Sequence, residues 1–210
     1  MMDIRSLTAD QIKAEISKLG HPPFRTAQVL DWIYKKNVSC WDRMTNLPHC
    51  LRERLSKNFR LEHLACAGRC ESGDSARKFL WRLGDGLLVE SVLLDASEAL
   101  DGGKSDRRTV CVSTQAGCAF GCRFCASGLD GFRRNLAPHE MVGQVMRSAE
   151  EAGTKADNVV FMGMGEPLAN FENLMRALEI INAPWGLGIG ARKITISTCG
   201  LPLEILKLAA

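Results

Sequence analysis

Apolar residues recur at helical spacing through the first sixty residues of the chain. The pattern predicts three short amphipathic helices, which begin after Thr8, Thr26 and Pro48. Gly20 ends the first helix, because glycine readily takes the left-handed conformation that closes a helix. Short helices with one apolar face must bury that face, so we predict a compact helical module over residues 1–62.

The pattern changes to period-two alternation in residues 78–92, which the glycine-containing turn sequence 84–86 interrupts. Alternation on both sides of such a turn predicts a β-hairpin. Residues 95–108 are polar, contain two adjacent glycines and show no periodicity. The segment 63–108 is therefore predicted to be a hairpin followed by a linker.

From residue 109 onward, one unit repeats: a short apolar strand, a loop and an amphipathic helix. The predicted strands cover residues 109–113, 158–162 and 193–197, and the helices start at Pro138, after Asn170 as N-cap, and at Pro202. Successive units of this kind predict a parallel sheet with right-handed crossovers. Ligands of such sheets bind at the carboxyl ends of the strands, where all three loops are expected to lie.

The composition is that of an ordinary globular protein of one or two domains, with 210 residues of which 46% are hydrophobic. The chain does not begin with an apolar signal segment, so its nine cysteines favour metal binding or catalysis in a reducing, cytoplasmic setting. No apolar run reaches the length of about 20 residues needed to cross a bilayer, and no membrane partner is expected.

Positive charge is concentrated at the start of the chain. Residues 1–60 contain eleven Lys and Arg against six Asp and Glu, whereas the remainder contains sixteen against eighteen. A basic module ahead of a nearly neutral body is compatible with a polyanionic substrate such as RNA. The same excess is also typical of solvated helix faces, so charge alone leaves both interpretations open.

Cys118, Cys122 and Cys125 follow one another at C-x3-C-x2-C spacing in one predicted loop. Three thiolates can hold three corners of a 4Fe-4S cluster and leave the fourth iron without a protein ligand. No fourth cysteine follows nearby, whereas a structural zinc site is normally closed by four ligands. Two alternatives remain from the residues alone: buried apolar cysteines, or a zinc site completed by Cys111 or a histidine.

The cysteine spacing is typical of radical S-adenosylmethionine (SAM) enzymes, and further ordered motifs extend the similarity. The chain resembles the RlmN/Cfr family of radical SAM RNA methyltransferases nearly end to end. The matching segments are residues 24–28, 32–34, 44–48, 88–92, 111–115, 117–127, 131–136, 162–167 and 196–200.

This resemblance implies an α/β fold. A small helical domain and a β-hairpin linker precede the first three βα units of a radical SAM partial (βα)6 TIM-like barrel, in residues 109–210. Because the family barrel is longer, the chain is expected to be an N-terminal fragment that can bind a cluster and cannot turn over by itself. The basic domain, residues 1–62, is expected to bind RNA.

The resemblance also implies the two cofactors. Cys118, Cys122 and Cys125 would bind a 4Fe-4S cluster, and SAM would bind the open iron and be cleaved to a 5′-deoxyadenosyl radical. Gly165 and Glu166 match the family's SAM contact, and a carboxylate is suited to accept hydrogen bonds from the methionine ammonium. Ser197 matches another SAM-contacting position in the family. Glu166 could also be a solvated loop charge, but its place after residues 162–165 at a strand end favours the functional role. A serine after a strand, such as Ser197, is also a common helix cap.

Two further residues match catalytic positions of the family. Cys111 would act as the base that resolves a covalent adduct between RNA and enzyme, and Glu90 would hydrogen-bond the target adenine. From the residues alone, an inert strand cysteine and an exposed strand glutamate are at least as plausible. The family's methyl-carrying cysteine would lie downstream, and no residue of this chain occupies its place.

The implied activity is methylation of C2 of an adenosine in 23S rRNA at the peptidyl-transferase centre, and of tRNA next to the anticodon. An external electron donor such as flavodoxin and a monomeric full-length protein are expected. One alternative is C8 methylation of the Cfr type. A second is a non-catalytic, zinc-containing RNA-binding module.

Overall fold

The structure is a computed structural model that describes residues 1–61, 63–72, 76–95 and 107–209. Most of the predicted linker, residues 96–106, lies outside the described residues. Within them the α-helices are α1 (Ala9–Lys18), α2 (Arg25–Leu30), α3 (His49–Asn58), α4 (Pro138–Glu151), α5 (Phe171–Asn182) and α6 (Pro202–Ala209). The β-strands are β1 (Met2–Asp3), β2 (Phe59–Arg60), β3 (Ala65–Ser72), β4 (Ala76–Arg82), β5 (Leu88–Asp95), β6 (Arg108–Cys111), β7 (Gln115–Ala116), β8 (Arg134–Asn135), β9 (Asn158–Phe161) and β10 (Ile194–Ile196).

The N-terminal helices form as the apolar pattern predicts, with one difference at the start of α2. Thr8 and Gln11 make a reciprocal capping box at α1, and Gly20 follows that helix at φ 76°. Thr26 does not cap α2, because the amides of Arg25 and Thr26 already bond the carbonyls of the two preceding prolines. The helix therefore begins at Arg25, two residues before the predicted start at Ala27.

The main sheet contains six strands in the order β10-β9-β6-β5-β4-β3. Strands β6, β9 and β10 are parallel, as the repeated βα unit predicts, and β3 to β6 pair in antiparallel fashion. The predicted hairpin is β4 and β5. It continues the sheet of the βα units, and β3 extends it further, although the small and polar residues of β3 do not indicate a strand.

The two faces of this sheet have different surroundings. On the outer face Val89, Leu93, Val110, Val159 and Phe161 are buried, and α4 packs there against β5 and β6. The inner face carries a row of paired residues that runs across all six strands and stays partly accessible. From β3 to β10 this row is Cys70, Lys78, Val92, Cys111, Val160 and Thr195.

The N-terminal module packs on the helical side of the sheet and shares one hydrophobic core with it. The Ser6 hydroxyl lies 2.9 Å from Nδ1 of His139 in α4, and the Lys35 ammonium donates to the Gly186 carbonyl at 3.0 Å. Among the described residues, no helix combines the length and apolar character needed to span a membrane.

Candidate functional site

Three loops meet at the carboxyl ends of the parallel strands. We call residues 117–133, after β6, the cysteine loop and residues 163–166, after β9, the glycine loop; the third loop, residues 197–200, follows β10. The strand order and the parallel pairing place all three at one edge of the sheet. This is where a sheet of this kind binds its ligands.

Close packing against the end of β6 fixes the glycine loop. A Cβ on Gly163 would lie 2.7 Å from the Ser113 hydroxyl, and one on Gly165 would lie 2.4 Å from Cβ of Gln115. Gly165 also has φ 95°, which other residues rarely adopt. The backbone carbonyl of Met164 accepts a hydrogen bond from the Thr114 amide at 2.8 Å, and the Met164 amide donates to the Ser113 hydroxyl at 2.9 Å. Only glycine fits positions 163 and 165.

Glu166 is buried at the end of this loop, with 4% of its surface exposed. Its Oε1 accepts the Leu168 amide at 2.9 Å, and its Oε2 accepts the Cys199 amide at 2.7 Å. Burial acts to raise the pKa of this carboxyl group, but the Cys199 and Leu168 donors outweigh it and the pKa falls below its usual value. Glu166 is thus held as an anion that bridges the second and third loops.

The third loop presents Ser197 and Cys199 at the same edge. Ser197 follows β10 directly and is exposed, and its amide donates to the Phe161 carbonyl at 3.3 Å. Desolvation and the adjacent Glu166 carboxylate, with a smaller contribution from Cys122, raise the pKa of the Cys199 thiol to about 11. The second and third loops therefore share one anionic centre, and Cys199 lies near the cysteine loop.

A two-strand ladder closes the cysteine loop at its base. Strands β7 and β8 pair in antiparallel fashion, and the Arg133 amide donates to the Ala116 carbonyl at 2.9 Å. Gly117 has φ 73°, and a Cβ there would lie 1.8 Å from the Gly131 carbonyl oxygen. The two ends of the loop can approach this closely only with glycine at position 117.

The three motif cysteines lie at the accessible end of this loop. Cys118 and Cys122 are partly buried, whereas Cys125 is exposed. The Phe120 amide donates to Sγ of Cys118 at 3.4 Å, and the Cys125 amide donates to the Cys122 carbonyl at 3.0 Å. The neighbouring Phe124 is 93% exposed.

The donor set fits an iron-sulfur cluster in its chemistry, because three soft thiols are carried by one accessible loop. Within the described part of the chain, no three His, Cys, Asp or Glu side chains converge closely enough to hold a single metal ion. The cysteines of a cubane cluster each bind a different iron, so they need not converge on one point. Cys118, Cys122 and Cys125 are the residues that would hold it.

Glu90 and Cys111 lie near each other on the inner face. Cys111 pairs with Val92, and Glu90 lies two residues earlier on the same face of β5. The Glu90 carboxylate pairs with Lys78 at 3.2 Å and is partly exposed. The backbone carbonyl of Glu90 accepts a hydrogen bond from the Ser113 hydroxyl at 2.6 Å. Burial raises the pKa of the Cys111 thiol above its ordinary value. Both residues lie on the strands beside the three loops.

Buried amide side chains hold the loops together, and sequence reasoning missed them. Oε1 of Gln115 accepts the Glu166 amide at 2.9 Å, while its Nε2 donates to Asn135 at 2.8 Å. Asn170 occupies the N-cap position of α5, but its amide donates to the Thr114 and Leu136 carbonyls instead. Gln144 in α4 bonds the backbone of Ser113. Only Gln115 carried a signal, because it lies within one of the matching motifs.

Comparisons with known proteins agree with this arrangement. Residues 2–61 match the family described as "Ribosomal RNA large subunit methyltransferase N-terminal domain", and residues 112–210 match the "Radical SAM superfamily". The superfamily match implies a 4Fe-4S cluster and SAM as cofactors. The predicted cofactors are thereby confirmed at the level of the family.

Curated relatives and a solved structure cover almost the whole chain. A "Probable dual-specificity RNA methyltransferase RlmN" from Akkermansia muciniphila is 50% identical over 99% of this chain and 58% of its own length. A similarly named protein from Opitutus terrae is 47% identical over 96% of the chain and 57% of its own length. A radical SAM methyltransferase from Sphaerobacter thermophilus has a TM-score of 0.87 and 40% identity, with 100% of this chain and 60% of that chain covered.

These matches confirm the predicted fold class, since the similar structure is a radical SAM methyltransferase and its likeness extends over the whole chain. The chain spans somewhat more than half of the length of the curated relatives it matches. Its two matched regions occur in the order N-terminal methyltransferase domain, then radical SAM domain. The chain thus consists of a ribosomal RNA large subunit methyltransferase N-terminal domain followed by a radical SAM domain, the combination that its RlmN relatives match over nearly the whole chain.

Proposed function

We propose that the protein represented by this chain methylates C2 of an adenosine in 23S rRNA at the peptidyl-transferase centre, and of tRNA next to the anticodon. The observation that carries the proposal is the meeting of the cysteine loop, the Gly165-Glu166 turn and Ser197 at one sheet edge, with Glu90 and Cys111 beside them on the inner face. When bound, the cluster and SAM supply radical chemistry, which suits an electron-poor ring carbon such as C2.

The residues of this chain have distinct tasks in the proposal. Glu166 is already anionic, and its carboxylate keeps acceptor capacity beyond the two amides it binds, so it can hold an ammonium group of SAM. Gly165 and Ser197 shape the same pocket. Glu90 hydrogen-bonds the adenine, for which its carboxylate has to leave Lys78.

The sulfur atom of Cys111 takes up the proton that leaves C2 of the adenine. The raised pKa of its thiol makes the thiolate a stronger base than an ordinary cysteine, although a scarcer one at neutral pH. Residues 1–62 serve as the RNA-binding domain, residues 63–108 as hairpin and linker, and residues 109–210 as the first half of the radical SAM core. A cytoplasmic location, a flavodoxin-type electron donor and a monomeric full-length protein complete the proposal.

A chimera tests the activity. Residues 1–210 are fused to the part of the Akkermansia relative that lies beyond the match, purified without oxygen and incubated with SAM, reductant and either 23S rRNA or tRNA. Nuclease digestion and mass spectrometry should find 2-methyladenosine, with none from the chain alone. A C8-methylated product would favour Cfr-type specificity, and equimolar zinc without iron or sulfide would support the RNA-binding module instead. A cluster-loaded chimera that methylates neither RNA contradicts the proposal.

A further inference from the structure

A polar cavity of about 650 Å³ opens beside the candidate site, on the helical side of the sheet. It lies between the start of the chain, the turn that joins β4 to β5, and the first turns of α4 and α5. Four arginines line it: Arg60, Arg82, Arg134 and Arg176. We call it the arginine cleft.

The arginine cleft lies at the same edge of the sheet as the three loops. Strand β5 runs antiparallel to β6, so the turn before β5 lies beyond the carboxyl end of β6. Helices α4 and α5 follow the cysteine loop and the glycine loop, and their first turns are at this edge too. A long ligand bound over the candidate site can therefore continue into the cleft.

The acidic residues of the cleft are already paired. Arg134 binds Asp85 at 2.6 Å and Glu140 at 2.7 Å, and Asp3 binds the buried Arg5 at 2.7 Å. In contrast, no hydrogen bond or ion pair within the described residues engages the side chain of Arg60, Arg82 or Arg176. Arg60 and Arg82 are exposed, and Arg176 is partly exposed. The cleft thus offers three guanidinium groups to an anion.

Hydrogen bonds connect the cleft wall to the candidate site. Arg134 lies next to Asn135 in β8, and Oδ1 of Asn135 accepts the Gln115 side chain at 2.8 Å. Gln115 in turn accepts the Glu166 amide at 2.9 Å. The position of the cleft relative to Glu166 is therefore set by direct bonds along β7 and β8.

We propose that the arginine cleft binds backbone phosphates of the RNA beside the target nucleotide. The inference rests on the proposed function, which brings RNA to this sheet edge. Guanidinium groups bind phosphate oxygens in a bidentate manner, and a modifying enzyme that takes a base out of its stack must hold the flanking backbone. Such contacts position the RNA without reading its sequence.

Two matched double variants test the cleft. R60A/R82A removes two unpaired arginines of the cleft, and K155A/R192A removes two exposed cations that precede β9 and β10, at the opposite edge. Binding of a fluorescent RNA stem-loop is measured by anisotropy at several salt concentrations, and circular dichroism melts check the fold of each variant. R60A/R82A should weaken binding about tenfold and reduce the salt slope by about 1.4 to 1.8. K155A/R192A should leave both close to wild type.

The outcomes separate the cleft from the proposed function. If the wild-type chain binds RNA and both variants weaken this binding equally, the effect is one of overall charge. This result contradicts the proposal for the arginine cleft and leaves the proposed function standing. Binding that R60A/R82A leaves unchanged does the same. A folded wild-type chain that binds no RNA contradicts both proposals. Inorganic phosphate is the last probe: if calorimetry shows phosphate binding that R60A/R82A abolishes while the RNA salt slope stays unchanged, the cleft binds free phosphate instead.

Discussion

The glycine loop and the cysteine loop lie at the same sheet edge but bond to different parts of the molecule. The glycine loop is hydrogen-bonded to residues 112–115, which directly follow β6. The cysteine loop is tied at its base, and the bonds found farther along it, from Cys118 to Gly131, join loop residues to one another. The glycine loop is therefore held along its length by the rest of the fold, whereas the cysteine loop is held by it only at its base.

This difference separates two kinds of cofactor contact. The Glu166 carboxylate is positioned by amides of the chain itself, so its pocket exists without any ligand. The cysteines are accessible, and their final arrangement depends on the cluster that they bind. Substitutions of Cys118, Cys122 and Cys125 should therefore affect metal content and leave fold stability unchanged, and substitutions in the glycine loop should lower fold stability.

The largest effect is expected for the motif cysteines. Cys122→Ala should abolish cluster binding, because two thiolates cannot hold a cubane that normally has three protein ligands. Iron and sulfide should fall from about four per chain to nearly none after anaerobic reconstitution, with loss of the visible absorption band. The free energy of unfolding of the apo chain should change by less than about 0.5 kcal/mol.

Cys66→Ala is the matched control, because Cys66 is an exposed cysteine of β3, outside the cysteine loop. It should keep full iron content. Two results would contradict the contrast between the loops. One is a Cys122→Ala chain that retains a complete cluster, and the other is a Cys122→Ala apo chain that is much less stable than the wild-type apo chain.

The next largest effect is expected at Gly165. Gly165→Ala combines the unfavourable φ of 95° with a Cβ placed 2.4 Å from Gln115, and should lower the free energy of unfolding by about 3 kcal/mol. Gly188→Ala separates the two causes, because Gly188 has φ 69° and nothing within 4 Å of its added Cβ. It should cost only about 1 kcal/mol in urea unfolding. Equal losses in the two variants would show that contact with Gln115 contributes nothing to the cost.

Much of the fold could be predicted from local patterns. The Thr8 capping box and the parallel order of β6, β9 and β10 follow from short stretches of sequence. Strand β3 could not be predicted, because its small and polar residues gain strand structure only by pairing with β4. Thr26 fails as a cap because the bonds to the preceding prolines start the helix earlier.

The candidate site likewise contains residues that the sequence marks and residues that it does not. The cysteine loop and Glu166 are marked by motifs, and their shared sheet edge follows from the repeated unit. The buried amides of Gln144 and Asn170 were not predictable, because their partners lie 31 to 56 residues away in the sequence. A polar residue inside a helix pattern gives no sign of such a partner until the fold brings the two together.

A smaller effect on stability is expected at Glu166. Glu166→Gln replaces one acceptor oxygen by a donor, which leaves the Leu168 or the Cys199 amide unpaired and costs about 1 to 3 kcal/mol. Because the folded-state pKa is lowered, the wild-type carboxylate stabilises the fold above the usual value of 4.5, and this stabilisation is lost as the pH falls through the lower folded value. The difference in unfolding free energy between variant and wild type should therefore shrink below pH 4.5.

Glu172→Gln is the control, since Glu172 is an exposed carboxylate in the first turn of α5. Its effect should stay within about 0.5 kcal/mol at neutral pH. A Glu166→Gln difference that persists unchanged at pH 3 would mean that the cost does not come from the charge.

The smallest effect is expected at Cys199, where the third loop meets Glu166. With a pKa of about 11, its thiol is almost fully protonated at pH 8, so iodoacetamide should label it slowly despite its exposure. Glu166→Gln removes the negative charge that contributes to this pKa, so the labelling rate of Cys199 at pH 8 should rise several-fold in peptide mass spectrometry. Cys66, which lies on β3, should label at the same rate in both chains. If Cys199 reacts equally fast in the wild-type chain and in the Glu166→Gln variant, the Glu166 carboxylate does not act on the third loop. The glycine loop and the third loop would then not share an anionic centre, and this contrast with the cysteine loop would be lost.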